Sequence, residues 1–304
     1  AAVCLALSFS GKAARTAAPA GAPFARVSMG VGAWLMALAG YVLVVHALHG
    51  GLLKRREKVL VSLGGLAALA ALAFAGTFDA MSVVREFAAR RERFSGELLA
   101  HLALSGAAVG AAVVVGIPLG VLAFRVSAAE RPLFFVVNAV QTIPSLALFG
   151  ILIAPLAFIS RKYPFLRAAG IKGVGAAPAL IALTLYALLP IVRNTYTSLK
   201  VIDPGIPEAG RGMGMGALRL LFSVEIPLAL PVVLSGVRIS LVQAIGNTAV
   251  AALIGAGGFG VFVFQGLGQA VPDLILLGAV PVIVLAVAAD RAAEAFVRLF
   301  TPPG

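Results

Sequence analysis

Residues 200–219 read KVIDPGIPEAGRGMGMGALR and lie between two long apolar runs, 177–199 and 228–256. Asp203-Pro204 favours a turn, and Pro207 fits the first turn of a following helix, where its missing N–H costs nothing. Glu208 then sits near that helix's N-terminus, where the macrodipole favours a negative side chain. Such a helix carries Ala209, Met213 and Leu218 as its apolar contacts and turns Arg211 outward. A short, solvent-exposed helix of this kind suits docking into a groove on another protein. A loop packed on its own chain is the plainer alternative.

The flanking runs are two of seven, at about 28–49, 59–77, 97–124, 133–158, 177–199, 228–256 and 272–299. Crossing a bilayer takes about 20 mostly apolar residues. The chain is 61% hydrophobic and 12% charged, against about 25% charged in a soluble domain. So little charge cannot cover a water-facing surface, and lipid must replace water over most of the perimeter. The fold class is all-α and polytopic. Pro118, Pro144, Pro190, Pro231 and Pro281 fall within runs and predict kinks or breaks. Small residues such as those of Gly106–Gly110 permit close helix approach in lipid.

A formal charge of +12 would suggest nucleic acid in a soluble protein. Here Lys and Arg cluster between the runs (Lys54-Arg55-Arg56, Arg90-Arg91, Arg161-Lys162), with no aromatic-interleaved basic face. Anchoring to lipid headgroups explains them, and no nucleic-acid partner is expected. Cys4 is the single cysteine, and His46, His49 and His101 lack ligand spacing, so no metal site is assigned. Residues 1–10 are apolar enough to be the end of a further helix; no charged segment precedes them, and no signal peptide is assigned. Residues 1–78 are read as accessory membrane segments, 79–96 as a charged linker able to form an interfacial helix, and 97–298 as the core. Basic residues divide almost evenly between the two sides, so charge alone does not orient the chain.

Glu208-Ala209-Gly210, then Gly214, then Val224-Glu225-Ile226-Pro227, resembles the Glu-Ala-Ala loop of ABC-importer permeases. Gly210 departs from the second Ala, Val224 from Ile, and Ile226-Pro227 from Leu-Pro. Gln141-Thr142-Ile143-Pro144-Ser145, Leu183–Thr195 and Ala244–Gly258 are similar to the osmoprotectant branch. The likeness covers about 97–298 and implies a five-span type-1 permease core in the bacterial inner membrane, with the Glu-Ala-Ala loop at 203–227. It implies cytoplasmic ATPase subunits docked on that loop, an extracytoplasmic binding protein, and a second permease copy or paralogue. The implied function is ATP-driven import of glycine betaine, choline or related quaternary amines by alternating access. Import of another small solute, such as an amino acid, and ion-coupled secondary transport are the alternatives. Secondary transport calls for membrane-embedded carboxylates, and the middle of the core runs offers none by sequence.

No Gly-x-x-x-x-Gly-Lys-Ser/Thr occurs; Gly11-Lys12 is followed by Ala13. No constellation suited to catalysis is present either. The chain is therefore expected to be a non-enzyme binding no cofactor. Polar groups inside spans are expensive and become functional candidates: Gln141, Thr142, Ser145, Asn194, Gln243, Asn247 and Thr248. Arg238 is the costliest, and is expected to snorkel or to meet a backbone carbonyl. The loop likeness places 200–219 in the cytoplasm and 159–176 outside. Single cysteines at Gly205 and Gly170 should then differ in intact cells: an impermeant thiol reagent labels Gly170→Cys and spares Gly205→Cys. The reverse pattern inverts the topology.

Overall fold

The structure, a computed structural model, describes residues 8–13, 16, 30–49, 54–79, 81–168 and 170–300. Residues 1–7, within the stretch read as a helix end, lie outside them. Among the described residues all regular structure is helical. The chain divides into two compact units, Ala1–Arg91 with Gln269–Leu277 and Glu92–Gly268 with Gly278–Gly304.

The first unit contains α1 (Val31–His49), α2 (Arg55–Phe74) and α3 (Ser82–Ala89). Met81, just before α3, packs with Phe78, Val83 and Val84. The segment 79–96 thus holds a short helix, but its last residues already belong to α4 (Arg91–Arg125).

The second unit carries most of the core. Its elements are α4, α5 (Ser127–Thr142), α6 (Ser145–Lys162), α7 (Pro164–Ala168), α8 (Ala176–Lys200), α9 (Gly205–Gly212), α10 (Ala217–Leu220), α11 (Ile226–Ala251) and α12 (Gly260–Gln269). The last helix, α13 (Pro272–Leu299), crosses the boundary between units. Among the described residues, five helical stretches are long and apolar enough to cross a bilayer: α4, α6, α8, the continuous stretch Ala217–Ile254, and α13. The N-terminal runs α1 and α2 are not among these five; α1 is apolar over Val31–His46, and α2 opens on Arg55, Arg56, Glu57 and Lys58.

The run expected to span at 133–158 is instead two helices, α5 and α6, separated at Ile143-Pro144. Pro144 disfavours helical geometry at Ile143, which is extended at φ −78°, ψ 125°. Pro118, Pro190, Pro231 and Pro281 lie inside uninterrupted helices. Of the kinks or breaks expected there, the breaks do not occur, and at Pro190 a side chain of a neighbouring helix replaces the lost N–H.

Helix α8 is the centre of the unit. It packs along α11 over most of its length, with α5 against one half and α6 against the other. Leu148 and Phe149 of α6 meet Ala179, Ala182 and Leu183, while Val137 of α5 lies among Ala187, Leu188 and Ile191. Lipid tails are as apolar as leucine, so burial alone does not drive these contacts; close packing and its dispersion attraction do. Helix α4 presents Ala108, Ala112, Gly116 and Gly120, spaced four apart and all buried. A β-carbon on Gly120 would come within 2.9 Å of the Val192 carbonyl, and one on Gly236 within 2.8 Å of the Pro190 carbonyl. Gly106 and Gly110 do not make the close approach expected of them: nothing lies within 4 Å of either position.

Gly236→Val should therefore lower the thermal stability of the detergent-purified chain, by the roughly 1–3 kcal/mol typical of overpacking. Gly106→Val adds the same atoms to an open face and should leave the melting curve unchanged. Equal effects from the two would show that the α8–α11 contact is not close packed.

Candidate functional site

The polar loop builds its helix from its own turn. Asp203 Oδ1 accepts the Gly205 N–H at 2.8 Å, which sets the start of α9. Pro207 and Glu208 follow within the first turn. At the other end Gly214 is left-handed, φ +80°. The Met215 N–H reaches the Gly210 carbonyl at 3.1 Å and the Gly214 N–H the Arg211 carbonyl at 2.9 Å. These are the two bonds of a Schellman stop, which requires a residue at positive φ. Gly214 is thus needed for backbone conformation and not for space, since nothing lies within 4 Å of its missing β-carbon.

The helix ends at Gly212, so one helix does not carry Ala209, Met213 and Leu218 as expected; Leu218 belongs to α10. All three are exposed, and the packed position is Gly210, where a β-carbon would meet Leu220 Cδ1 at 2.6 Å. The departure from Ala at 210, which by propensity only weakens the helix, lets α9 lie close on α10. Ile206, Ala209 and Met213, with Asp203 and Val224, line an open groove of about 390 Å³.

Residues Leu221–Glu225 form a π-turn, and the Ile226 N–H bonds back five residues to the Leu221 carbonyl. Pro227, next in line, has no N–H to give Ser223, so the wider turn falls where the α pattern loses a donor. The turn buries Glu225, 2% exposed, in an ion pair with Arg125, the last residue of α4. Val224 and Ile226 are half-buried, and Pro227 is exposed.

Of the seven polar candidates, the structure joins two. Gln141 Nε2 donates to the Tyr186 carbonyl at 2.6 Å, and Gln243 Nε2 donates to Gln141 Oε1 at 3.2 Å. Thr142 and Thr248 hydrogen-bond back to their own helices, at Ala139 and Ala244. Asn194 lies against Gly236. Ser145 and Asn247 are half-buried on α6 and α11. Tyr186, absent from the candidates, belongs with them: its hydroxyl donates to the Ile143 carbonyl at the α5–α6 break, 2.5 Å away. Its place four residues before Pro190 was the available signal.

Two further groupings escaped the sequence reading. Gly255, Gly257 and Gly258, all at positive φ, form the turn after α11. Glu97 accepts the Gly258 N–H at 2.8 Å, and His101 Nδ1 accepts the Phe259 N–H at 3.3 Å. Nδ1 being an acceptor, Nε2 carries the proton and donates to the Ile245 carbonyl at 3.0 Å. Phe94 packs on Phe259, rings 4.9 Å apart. Glu97 and His101, one turn apart on α4, were the missed signal. Arg238 meets carboxylates where a backbone carbonyl or a snorkelling position was expected. It holds Asp290 at 2.6 and 2.7 Å and Glu294 at 3.3 Å. A bidentate carboxylate satisfies a guanidinium far better than one carbonyl.

The docking role that the resemblance implies for this loop can be tested apart from its folding. Glu208→Ala removes a charge–dipole contribution of about 0.3–1 kcal/mol and should leave insertion and abundance near normal. Gly214→Val forces a branched residue into a left-handed position and should unravel the end of α9. Both should weaken capture of the ATPase subunit in a pull-down, Gly214→Val more, with membrane levels read by immunoblot. Normal capture by both would remove α9 as the docking element.

The sequence profile of the family described as binding-protein-dependent transport system inner membrane component matches residues 112–301. A second profile, the ABC transporter permease YehY N-terminal domain, matches residues 1–84. The osmoprotectant import permease protein OsmW of Salmonella typhimurium is 41% identical over 67% of this chain and 90% of its own length. The glycine betaine/carnitine/choline transport system permease protein OpuCB of Bacillus subtilis is 39% identical over 69% of this chain and 91% of its own. Among solved structures, the inward-facing MetNI methionine ABC transporter shares 25% identity with a TM-score of 0.60, covering 70% of this chain and 98% of that one. The profile match over most of the chain, the five apolar stretches and the exposed loop helix agree: the chain belongs to the family of binding-protein-dependent transport system inner membrane components.

Proposed function

We propose that the chain is the membrane-spanning subunit of an ATP-driven importer of osmoprotectants, taking quaternary amines such as glycine betaine, carnitine or choline. The observation that carries the substrate class is the 39–41% identity, spanning the core and its loop, to permeases named for those solutes. The chemistry present agrees. A quaternary ammonium has no N–H to give and calls for partial negative charge or an aromatic face rather than a carboxylate partner. Gln141, Gln243 and Asn247 offer amide oxygens at incompletely buried positions, and Asp290 and Glu294 are already held by Arg238.

Polar side chains left half-exposed within the span-forming helices do not suit a lipid-facing surface. Ser145, Gln243 and Asn247 therefore face a water-filled pathway or a second permease copy or paralogue, and Gln141 of α5 joins Gln243. ATPase subunits seat on α9 and its groove, and an external binding protein delivers the solute at the opposite end. ATP hydrolysis comes from the partner chains, and this chain binds no cofactor of its own. Alternating access then amounts to movement of the α8–α11 pair and its neighbours, driven from α9 through the π-turn and the Glu225–Arg125 pair.

The experiment is reconstitution of the permease, its ATPase and its binding protein in liposomes, with uptake of labelled glycine betaine, choline and methionine compared. ATP-dependent uptake of the two amines, with none of methionine, is the expected result. Methionine uptake in preference to both would overturn the substrate class. The purified permease alone should hydrolyse no ATP.

A further inference from the structure

The central polar contact has a shape that its residue types alone do not explain. Pro190 has no N–H, so the carbonyl four residues earlier in α8, that of Tyr186, lacks its helical partner. Gln141 fills that vacancy at 2.6 Å. On the facing element the chain leaves helical geometry at Ile143-Pro144, so the Ile143 carbonyl also lacks a helical donor. The hydroxyl of Tyr186 fills that one at 2.5 Å. Each proline-disrupted element thus satisfies the other: a side chain of α5 caps the backbone of α8, and a side chain of α8 caps the break after α5. Gln243 of α11 orients the Gln141 amide by donating to its oxygen. Tyr186 is 5% exposed and lies about halfway along α8, roughly 15 Å from its start.

We infer that Gln141 and Tyr186 are positioning residues of the transport cycle, forming a reciprocal latch between the α5–α6 break and α8 that sets the balance between this conformation and an opened one. Its two bonds cross one interface in opposite directions, so separating the elements breaks both together. Two bare carbonyls in hydrocarbon are costly. The opened arrangement is therefore accessible only when water enters and takes the place of the amide and the hydroxyl. Opening of the break is in this way tied to hydration of the pathway, and the latch holds the elements together while the pathway is dry. Gln243 ties α11, the helix that leads back to the π-turn and the coupling loop, to the same point.

The latch rests on the alternating-access cycle proposed above, and wild-type uptake measured in parallel tests that cycle separately. The test uses the full complex in liposomes, reading ATP hydrolysis without binding protein, hydrolysis with loaded binding protein, and solute moved per ATP. Tyr186→Phe removes one hydroxyl and Gln141→Leu removes one amide. Each should raise binding-protein-independent hydrolysis about fivefold, the population shift from losing one such bond, and lower the solute moved per ATP. Pro190→Ala returns an N–H to the Tyr186 carbonyl, so Gln141→Leu/Pro190→Ala should recover the coupling that Gln141→Leu loses. If Gln141→Leu does not accumulate, Tyr186→Phe decides the matter. Unchanged basal hydrolysis and coupling in Tyr186→Phe overturns the latch. So does a proportional loss of hydrolysis and uptake with a lowered melting temperature, which marks a purely structural role. Failure of Pro190→Ala to restore an uncoupled Gln141→Leu overturns it too.

Discussion

The constraint on which this structure depends is the backbone carbonyl in a solvent without donors. In hydrocarbon every unpaired N–H or C=O costs several kcal/mol, yet each of the five span-forming stretches among the described residues carries a proline inside its helix. Each proline removes a donor. The consequences differ with what lies nearby. At Pro144 the helix breaks; at Pro190 it continues, because a glutamine on a neighbouring helix replaces the missing N–H. At Pro227 the chain widens into a π-turn.

The same logic explains how α4 is fastened. Its last residue, Arg125, pairs with Glu225 at the start of α11, and its first turns hold the glycine turn that follows α11 through Glu97 and His101. One helix is thus pinned to both ends of another. The two attachments differ in kind. The Arg125–Glu225 attachment is an ion pair beside a solvent-exposed loop, where a charge can be partly hydrated. The other is made of hydrogen bonds donated by the backbone N–H groups of Gly258 and Phe259, in the positive-φ glycine turn, to the Glu97 and His101 side chains. Between them, Ala108, Ala112, Gly116 and Gly120 let α4 lie close on α8.

Arg238 and its two carboxylates show a third solution. A guanidinium at mid-helix in α11 is expensive in lipid, and Asp290 with Glu294, one turn apart on α13, meets it from across the helix pair. Nothing in α11 announces the partner. The carboxylates lie about fifty residues away in sequence, in a run whose apolar composition hid them. The network ties α13 to the helix that follows the polar loop and its π-turn.

Composition and run length determined that the chain is helical and membrane-spanning, since no other backbone arrangement but a closed barrel satisfies itself in lipid. The start of the loop helix at 200–219 was also legible, because turns and caps are local: Asp203, Pro207 and Glu208 act on backbone within a few residues of themselves, whereas its end at Gly212 was not. Gln141 and Gln243 were legible as polar groups in apolar runs, but not as partners of each other. Tertiary structure alone decided that Gly116 and Gly120 rather than Gly106 and Gly110 are packed, and that Tyr186, His101 and Asp290 matter. In each case the deciding contact joins residues 40 or more positions apart. A sequence shows that a donor is missing; which distant side chain replaces it depends on how the helices rotate against one another, and that is set by packing over the whole bundle.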